Sequence, residues 1–117
     1  MNSFRMIYDA EGDIFEVDFQ LAEEKPERGY ELSDNVIIWT DANINKVYRI
    51  LFISYSRLLK RSVITLGGLR KFPVSQREKI QRAIEKSPIK QFLMCRDKKK
   101  CRYSLTEPDV KVMVKAA

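Results

Sequence analysis

The chain has 117 residues, 22 basic and 16 acidic, with 44% hydrophobic and 32% charged content. That suits one folded domain with its own core and excludes a disordered chain. It contains no histidine and two cysteines, so it lacks the commonest general base and too few ligands remain for a zinc centre. The composition therefore speaks against an enzyme, and no cofactor or metal is expected.

Charge is unevenly distributed. Residues 1–45 carry eleven acids and three bases, a net of −8, whereas residues 46–117 carry five acids and nineteen bases, a net of +14. Such asymmetry points to a charged macromolecular partner rather than to small-molecule chemistry. No apolar run approaches the roughly 20 residues of a membrane helix. The N-terminus runs straight into a strand pattern without a signal-peptide core, so a cytoplasmic location and no membrane partner are expected.

Phe4, Met6 and Tyr8 alternate with Arg5 and Ile7, as in a strand. Asp9-Ala10-Glu11-Gly12-Asp13 reads as a turn, with Gly12 able to take positive φ. Phe15, Val17 and Phe19 then share one face and Glu16 and Asp18 the other, completing a hairpin. Residues 21–30 read as an acidic loop broken by Pro26 and Gly29. A third strand is expected within Glu31–Thr40, then a turn in which Asn43 or Asn45 supplies a left-handed residue. Val47–Ser54 reads as a fourth strand with both faces covered.

Beyond it, Ser56–Arg61 leaves the sheet as a short helical turn, and Gly67-Gly68 reads as a flexible break. Ser75 and Glu78 form a capping box for a helix whose apolar stripe is Ile80, Ala83 and Ile84. Phe72 is placed to clamp the helix start, and Ser87-Pro88 to end it. Residues 88–105 admit two readings. One is a short helix followed by a strand, which the spacing of Ile89, Phe92 and Leu93 favours. The other pairs Phe92–Cys95 with Cys101–Leu105. Val110, Val112 and Val114 alternate as a last strand.

Several groups are candidates for function. Asp9, Glu11 and Asp13 offer alternating oxygen ligands for a hard cation, but turn chemistry accounts for each of them without a metal. Glu16, Asp18, Glu23, Glu24 and Glu27, with Glu11, form an acidic face suited to a basic protein partner, or to solvent alone. Lys90, Arg96, Lys98, Lys99, Lys100 and Arg102 are the densest basic cluster. Arg57, Lys60, Arg61, Arg70 and Lys71 are a second one with no acid among residues 57–71. Both suit nucleic-acid phosphate, with Phe92 and Tyr103 available to stack on bases if exposed; a solubilising surface fits them equally. Cys95 and Cys101 read as two reduced thiols, a redox pair being the alternative. Trp39 reads as a core or interface residue.

Three blocks resemble one known family. Tyr8-Asp9-Ala10-Glu11-Gly12-Asp13 is similar to an opening "YD-x-E-x-D" turn. Glu31–Ile38 is similar to its following strand, with Asp41 opening the next turn. Ile50, Phe52, Ile53 and Ser56 are similar to its "i-x-i-L-x-x-S" ending. Together they resemble the bacterial family carrying the domain of unknown function number 2283, over residues 4–56. Asn45 and Arg49 stand where that pattern has Gly, and Leu51 where it has Glu. The resemblance implies a small antiparallel β domain without demonstrated enzyme activity, in a family suspected of antitoxin roles.

The reading that follows is α+β within one domain of residues 1–117. An acidic four-stranded antiparallel β meander occupies residues 4–56. A helix and a mixed C-terminal extension make up the basic residues 57–117. The expected function is non-enzymatic and antitoxin-like, the acidic half binding a basic protein and the basic half contacting nucleic acid. The alternative is a structural subunit of a homo- or hetero-oligomer.

Overall fold

A computed structural model of the chain describes residues 4–19, 28–86 and 89–106 and the backbone of residues 114–116. The fold is α+β, with two sheets and short helices. The large sheet has strand order β3-β4-β5-β2-β1-β9. Its strands are β1 (Arg5–Asp9), β2 (Ile14–Asp18), β3 (Arg28–Ser33), β4 (Val36–Thr40), β5 (Val47–Ile53) and β9 (Val114–Ala116). All pair antiparallel except β9, which runs parallel beside β1. Residues 110–113 and 87–88, expected to lead that strand and to end the helix, lie outside the described residues.

The expected meander is present in extended form. Residues 28–40 make two strands rather than one, because Asp34-Asn35 turns the chain and a register shift follows Glu31. The β3-β4-β5 meander then docks β5 against β2, so the N-terminal hairpin joins through its second strand. One face of β5 is buried, while Arg49, Leu51 and Ile53 on the other are half-exposed. That strand is therefore not covered on both faces by described residues.

The left-handed positions fall on other residues than expected. Asp13 (φ 54) takes this conformation rather than Gly12, and Ile44 (φ 56) rather than either flanking Asn. Asp41 explains the second case. Its Oδ1 accepts the N–H groups of Asn45 and Lys46, at 2.7 and 3.0 Å, and its carbonyl accepts that of Ile44. The turn is thereby closed around Ile44, whose side chain is 7% exposed in the core. A β-branched residue is strained at positive φ, and here that strain is offset by apolar burial.

The second half packs onto the inner face of the large sheet. It comprises α1 (Tyr55–Leu59), β6 (Ile64–Thr65), a 3-10 turn (Gly67–Lys71) and α2 (Val74–Ile84). Another 3-10 turn (Ile89–Gln91) leads into β7 (Leu93–Asp97) and β8 (Arg102–Leu105). The small sheet has order β6-β8-β7. Of the two readings of residues 88–105, the paired strands are formed, preceded by a single helical turn. The Phe92 ring reaches Phe4, Phe19 and Phe15 at 5.5, 5.9 and 6.2 Å between centroids, so the acidic and basic halves share one buried cluster.

The stripe of α2 is as the spacing predicts, with Ile80, Ala83 and Ile84 all buried. The capping box is not formed. Pro73 holds the N-cap position and Ser75 lies inside the helix, with no side-chain cap bond. Proline's fixed φ and missing N–H start the helix two residues earlier. Phe72 packs edge-on against Tyr30 of β3, at 5.6 Å, instead of clamping the helix. Gly67-Gly68 is a docked turn rather than a free break, since a Cβ on Gly68 would strike the carbonyls of Glu31 and Leu32 in β3.

Candidate nucleic-acid interface

The β7–β8 hairpin carries five of the six residues of the main basic cluster. Asp97 starts the tip by accepting the Lys100 N–H on Oδ1 at 3.2 Å. Cys101 N–H closes it onto the Lys98 carbonyl, also at 3.2 Å. Cys101 is left-handed (φ 55) and fully buried, and its own carbonyl accepts the Leu66 N–H at 2.8 Å. The chain thus turns with Cys101 pointing inward and Lys98, Lys99 and Lys100 exposed.

Alternation along the two strands sorts the remaining residues. Leu93 and Tyr103 face the core. Met94, Arg96 and Arg102 are exposed, and Arg102 stands opposite Thr65 of β6. The outer face of the hairpin is therefore two guanidinium groups beside a three-lysine tip. Lys90 lies on the preceding 3-10 turn, exposed but outside the hairpin.

Neighbouring elements pin this tip from two sides. Gln81 Nε2 of α2 donates to the Lys98 carbonyl at 3.1 Å. Arg70 Nη2 donates to the Lys100 carbonyl at 3.3 Å. The second basic cluster is thereby divided. Arg70 joins the hairpin, while Arg57 and Arg61 line a separate cavity of about 330 Å³ with Asp34 and Asn35. Spacing along the chain does not reveal the Arg70–Lys100 link. It depends on Gly68 fitting against β3, which fixes the turn that carries Arg70. Besides Asp97, the Glu85 carboxylate lies beside the tip, 3.5 Å from Lys98 Nζ.

The aromatic contribution expected of Phe92 and Tyr103 is not available. They are 2% and 0% exposed, because both fill the space between the sheets. Burial raises the Tyr103 phenol well above its ordinary value, and its hydroxyl lies beside Gln81 and Cys95 without a hydrogen bond of good geometry. The thiols are free. Cys95 stands opposite Tyr103 rather than Cys101, and burial pushes its thiol upward, away from the reactive thiolate form.

The acidic face is partly neutralised in place. Glu16 lies 3.9 Å from Arg49 and Asp18 lies 3.3 Å from Arg5. Glu23, Glu24 and Glu27 lie outside the described residues. The Arg49 guanidinium also covers the Trp39 ring at 4.5 Å. In the first turn, Asp9 Oδ1 accepts the N–H groups of Glu11 and Gly12. Asp13 accepts the hydroxyls of Tyr8 and Ser56, each at 2.7 Å. The described residues hold no cluster of three or more metal-ligating side chains, and no helix among them is long and apolar enough to cross a membrane.

In comparisons with known proteins, no family model matches the chain, and neither does any curated protein or solved structure.

Proposed function

We propose that this is a non-enzymatic, antitoxin-like binding protein whose basic second half contacts nucleic-acid phosphates through the β7–β8 hairpin. One observation carries the reading: Arg96, Lys98, Lys99, Lys100 and Arg102 project from a single hairpin whose tip is held by Arg70. With Phe92 and Tyr103 buried, contact rests on phosphate charge rather than base stacking, so binding is salt-sensitive and indifferent to sequence. The partner of the acidic half is a basic protein docking on Glu16, Asp18, Glu23, Glu24 and Glu27, a face on which Arg49 and Arg5 already lie beside Glu16 and Asp18.

The test replaces Lys98, Lys99 and Lys100 with Gln and measures binding to duplex DNA and to single-stranded RNA across a salt series. The log–log slope should flatten by about 0.9 per lost contact on duplex DNA and about 0.7 on a single strand. A folded variant with the parent's affinity and slope overturns the reading.

A second reading is an assembly subunit, and the outer face of the large sheet favours it. Ile7, Ile14, Ile37, Trp39, Leu51 and Ile53 are half-exposed there, and their register sets Ile37 beside Leu51 and Ile14 beside Ile53. Light scattering decides. If this face joins two copies, Leu51→Lys halves the mass; a parent that is already monomeric at high concentration removes the reading.

A further inference from the structure

On the flank of α2 away from the hairpin, Lys79, Arg82 and Lys86 border a notch of about 210 Å³, closed on its other side by Asn43, Ile44 and Asn45. We propose that this notch is a phosphate-binding site distinct from the hairpin. Three observations support it.

The first is uncompensated charge. Residues 79, 82 and 86 share one side of the helix. Among the described residues no carboxylate pairs with any of these cations. Asp41, the acid of the facing turn, has Oδ1 occupied by the N–H groups of Asn45 and Lys46. Like charges at this spacing destabilise a helix, and an anion between them removes that repulsion.

The second is construction. The floor is apolar, with Ala83 and Ile44 at 1% and 7% exposure. One side of the notch is therefore low-dielectric, where a charge-assisted hydrogen bond is stronger. Lys86 Nζ donates to the Asn45 carbonyl at 2.9 Å, which ties the helix to the turn and holds the two walls together. The side chains of Asn43 and Asn45, both exposed, supply amide donors at the rim.

The third is size. Sites for whole small organic ligands run upward from roughly 300 Å³. The smaller volume here suits a phosphate or pyrophosphate group and not an enclosed nucleoside. The polar lining offers an anion two ammoniums, a guanidinium and the NH2 groups of two side-chain amides, and the Asn45 carbonyl is taken up by Lys86. That group is either a backbone phosphate of a strand that also touches the hairpin, or a free phosphate.

The test is an NMR titration at fixed ionic strength. Inorganic phosphate, pyrophosphate and a short single-stranded oligonucleotide are added separately. The proteins are the parent, the Lys79→Gln/Arg82→Gln double variant and the Lys98→Gln/Lys99→Gln/Lys100→Gln triple variant. The substituted side chains are exposed, and Gln is a good helix former. In the parent, pyrophosphate should shift the amides of residues 43–46 and 79–86 saturably. The double variant should bind at least about tenfold more weakly, the loss expected for one charge-assisted contact. The triple variant should keep pyrophosphate binding, which separates the notch from the hairpin. If the oligonucleotide shifts both the notch and the hairpin, the phosphate comes from a nucleic-acid backbone; if pyrophosphate alone shifts the notch, it comes from a small free phosphate. No saturable shift at residues 43–46, or equal shifts in parent and double variant, overturns the proposal.

Discussion

The carboxylate of Asp13 accepts both the backbone N–H and the hydroxyl of Ser56, at 3.0 and 2.7 Å, across 43 residues of sequence. The Asp13 carbonyl also accepts the Tyr55 N–H at 3.0 Å. One residue of the first turn thus satisfies the opening N–H groups of α1, which its own N-cap, Ser54, leaves without a side-chain bond. Tyr8, Asp13 and Ser56 come from three separate elements, and here they form one hydrogen-bonded unit.

Asp13→Ala should therefore destabilise the fold by about 1 kcal/mol or somewhat more, since it strands several donors at a half-exposed site. Asp13→Asn should cost less, because Asn tolerates the left-handed backbone and keeps an acceptor oxygen. Urea melts of the two variants check the order.

The same carboxylate predicts acid sensitivity. Burial alone would raise the Asp13 value, but hydrogen bonds from Ser56 and Tyr8, with Arg57 nearby, outweigh it and hold the group below its ordinary 3.8. For Asp41, burial is likewise outweighed by backbone N–H groups of Lys46 and Asn45. A carboxyl lowered in the folded state binds its proton more readily when unfolded. The stabilisation is therefore complete above the ordinary value and drains away as pH falls below it. Denaturant midpoints should fall below pH 3.8 in the parent, with a shallower fall in Asp13→Asn.

The adjacent glycines should respond oppositely to alanine. A Cβ on Gly67 meets nothing within 4 Å, while one on Gly68 lies 2.8 Å from the Leu32 carbonyl oxygen and closer still to that of Glu31. Gly67→Ala should be neutral or stabilising by a few tenths of a kcal/mol. Gly68→Ala should cost about 1–3 kcal/mol, as overpacking does, and should also loosen the Arg70–Lys100 contact. Thermal melts of the pair decide it.

Two core residues should differ in the same way. Ile84 is fully buried on the apolar stripe of α2, and Ile84→Ala should cost roughly 2–5 kcal/mol. Tyr103 is as deeply buried, yet its hydroxyl lies beside Gln81 and Cys95 without a hydrogen bond of good geometry. Tyr103→Phe should therefore change stability by less than about 0.5 kcal/mol, or raise it. Chemical denaturation of both variants provides the measurement.

Alternation and helical spacing made the N-terminal hairpin, β5 and the stripe of α2 legible from residue order alone. What escaped depended on contacts distant in sequence. Gly29 is a poor strand former, and it enters β3 with Arg28 because that strand pairs with β4. Ser75 and Glu78 have the spacing of a capping box, but Pro73 starts the helix before them. The basic residues of the candidate interface were legible as a run. That Tyr103 and Phe92 would turn inward was not, because that depends on the pairing of β7 with β8 and on the aromatic rings of the first half.

The hairpin tip has a mechanical consequence. Its carbonyls at Lys98 and Lys100 are clamped by Gln81 and Arg70, whereas Lys99 and Lys100 make no ion pair among the described residues. The backbone is a stiff post, and its ammonium groups swing on flexible four-carbon stems. A polyanion held by such a post would trade one phosphate for the next without any backbone rearrangement. Dwell time on a strand would then be decoupled from position along it, and the protein could travel along its ligand while staying bound.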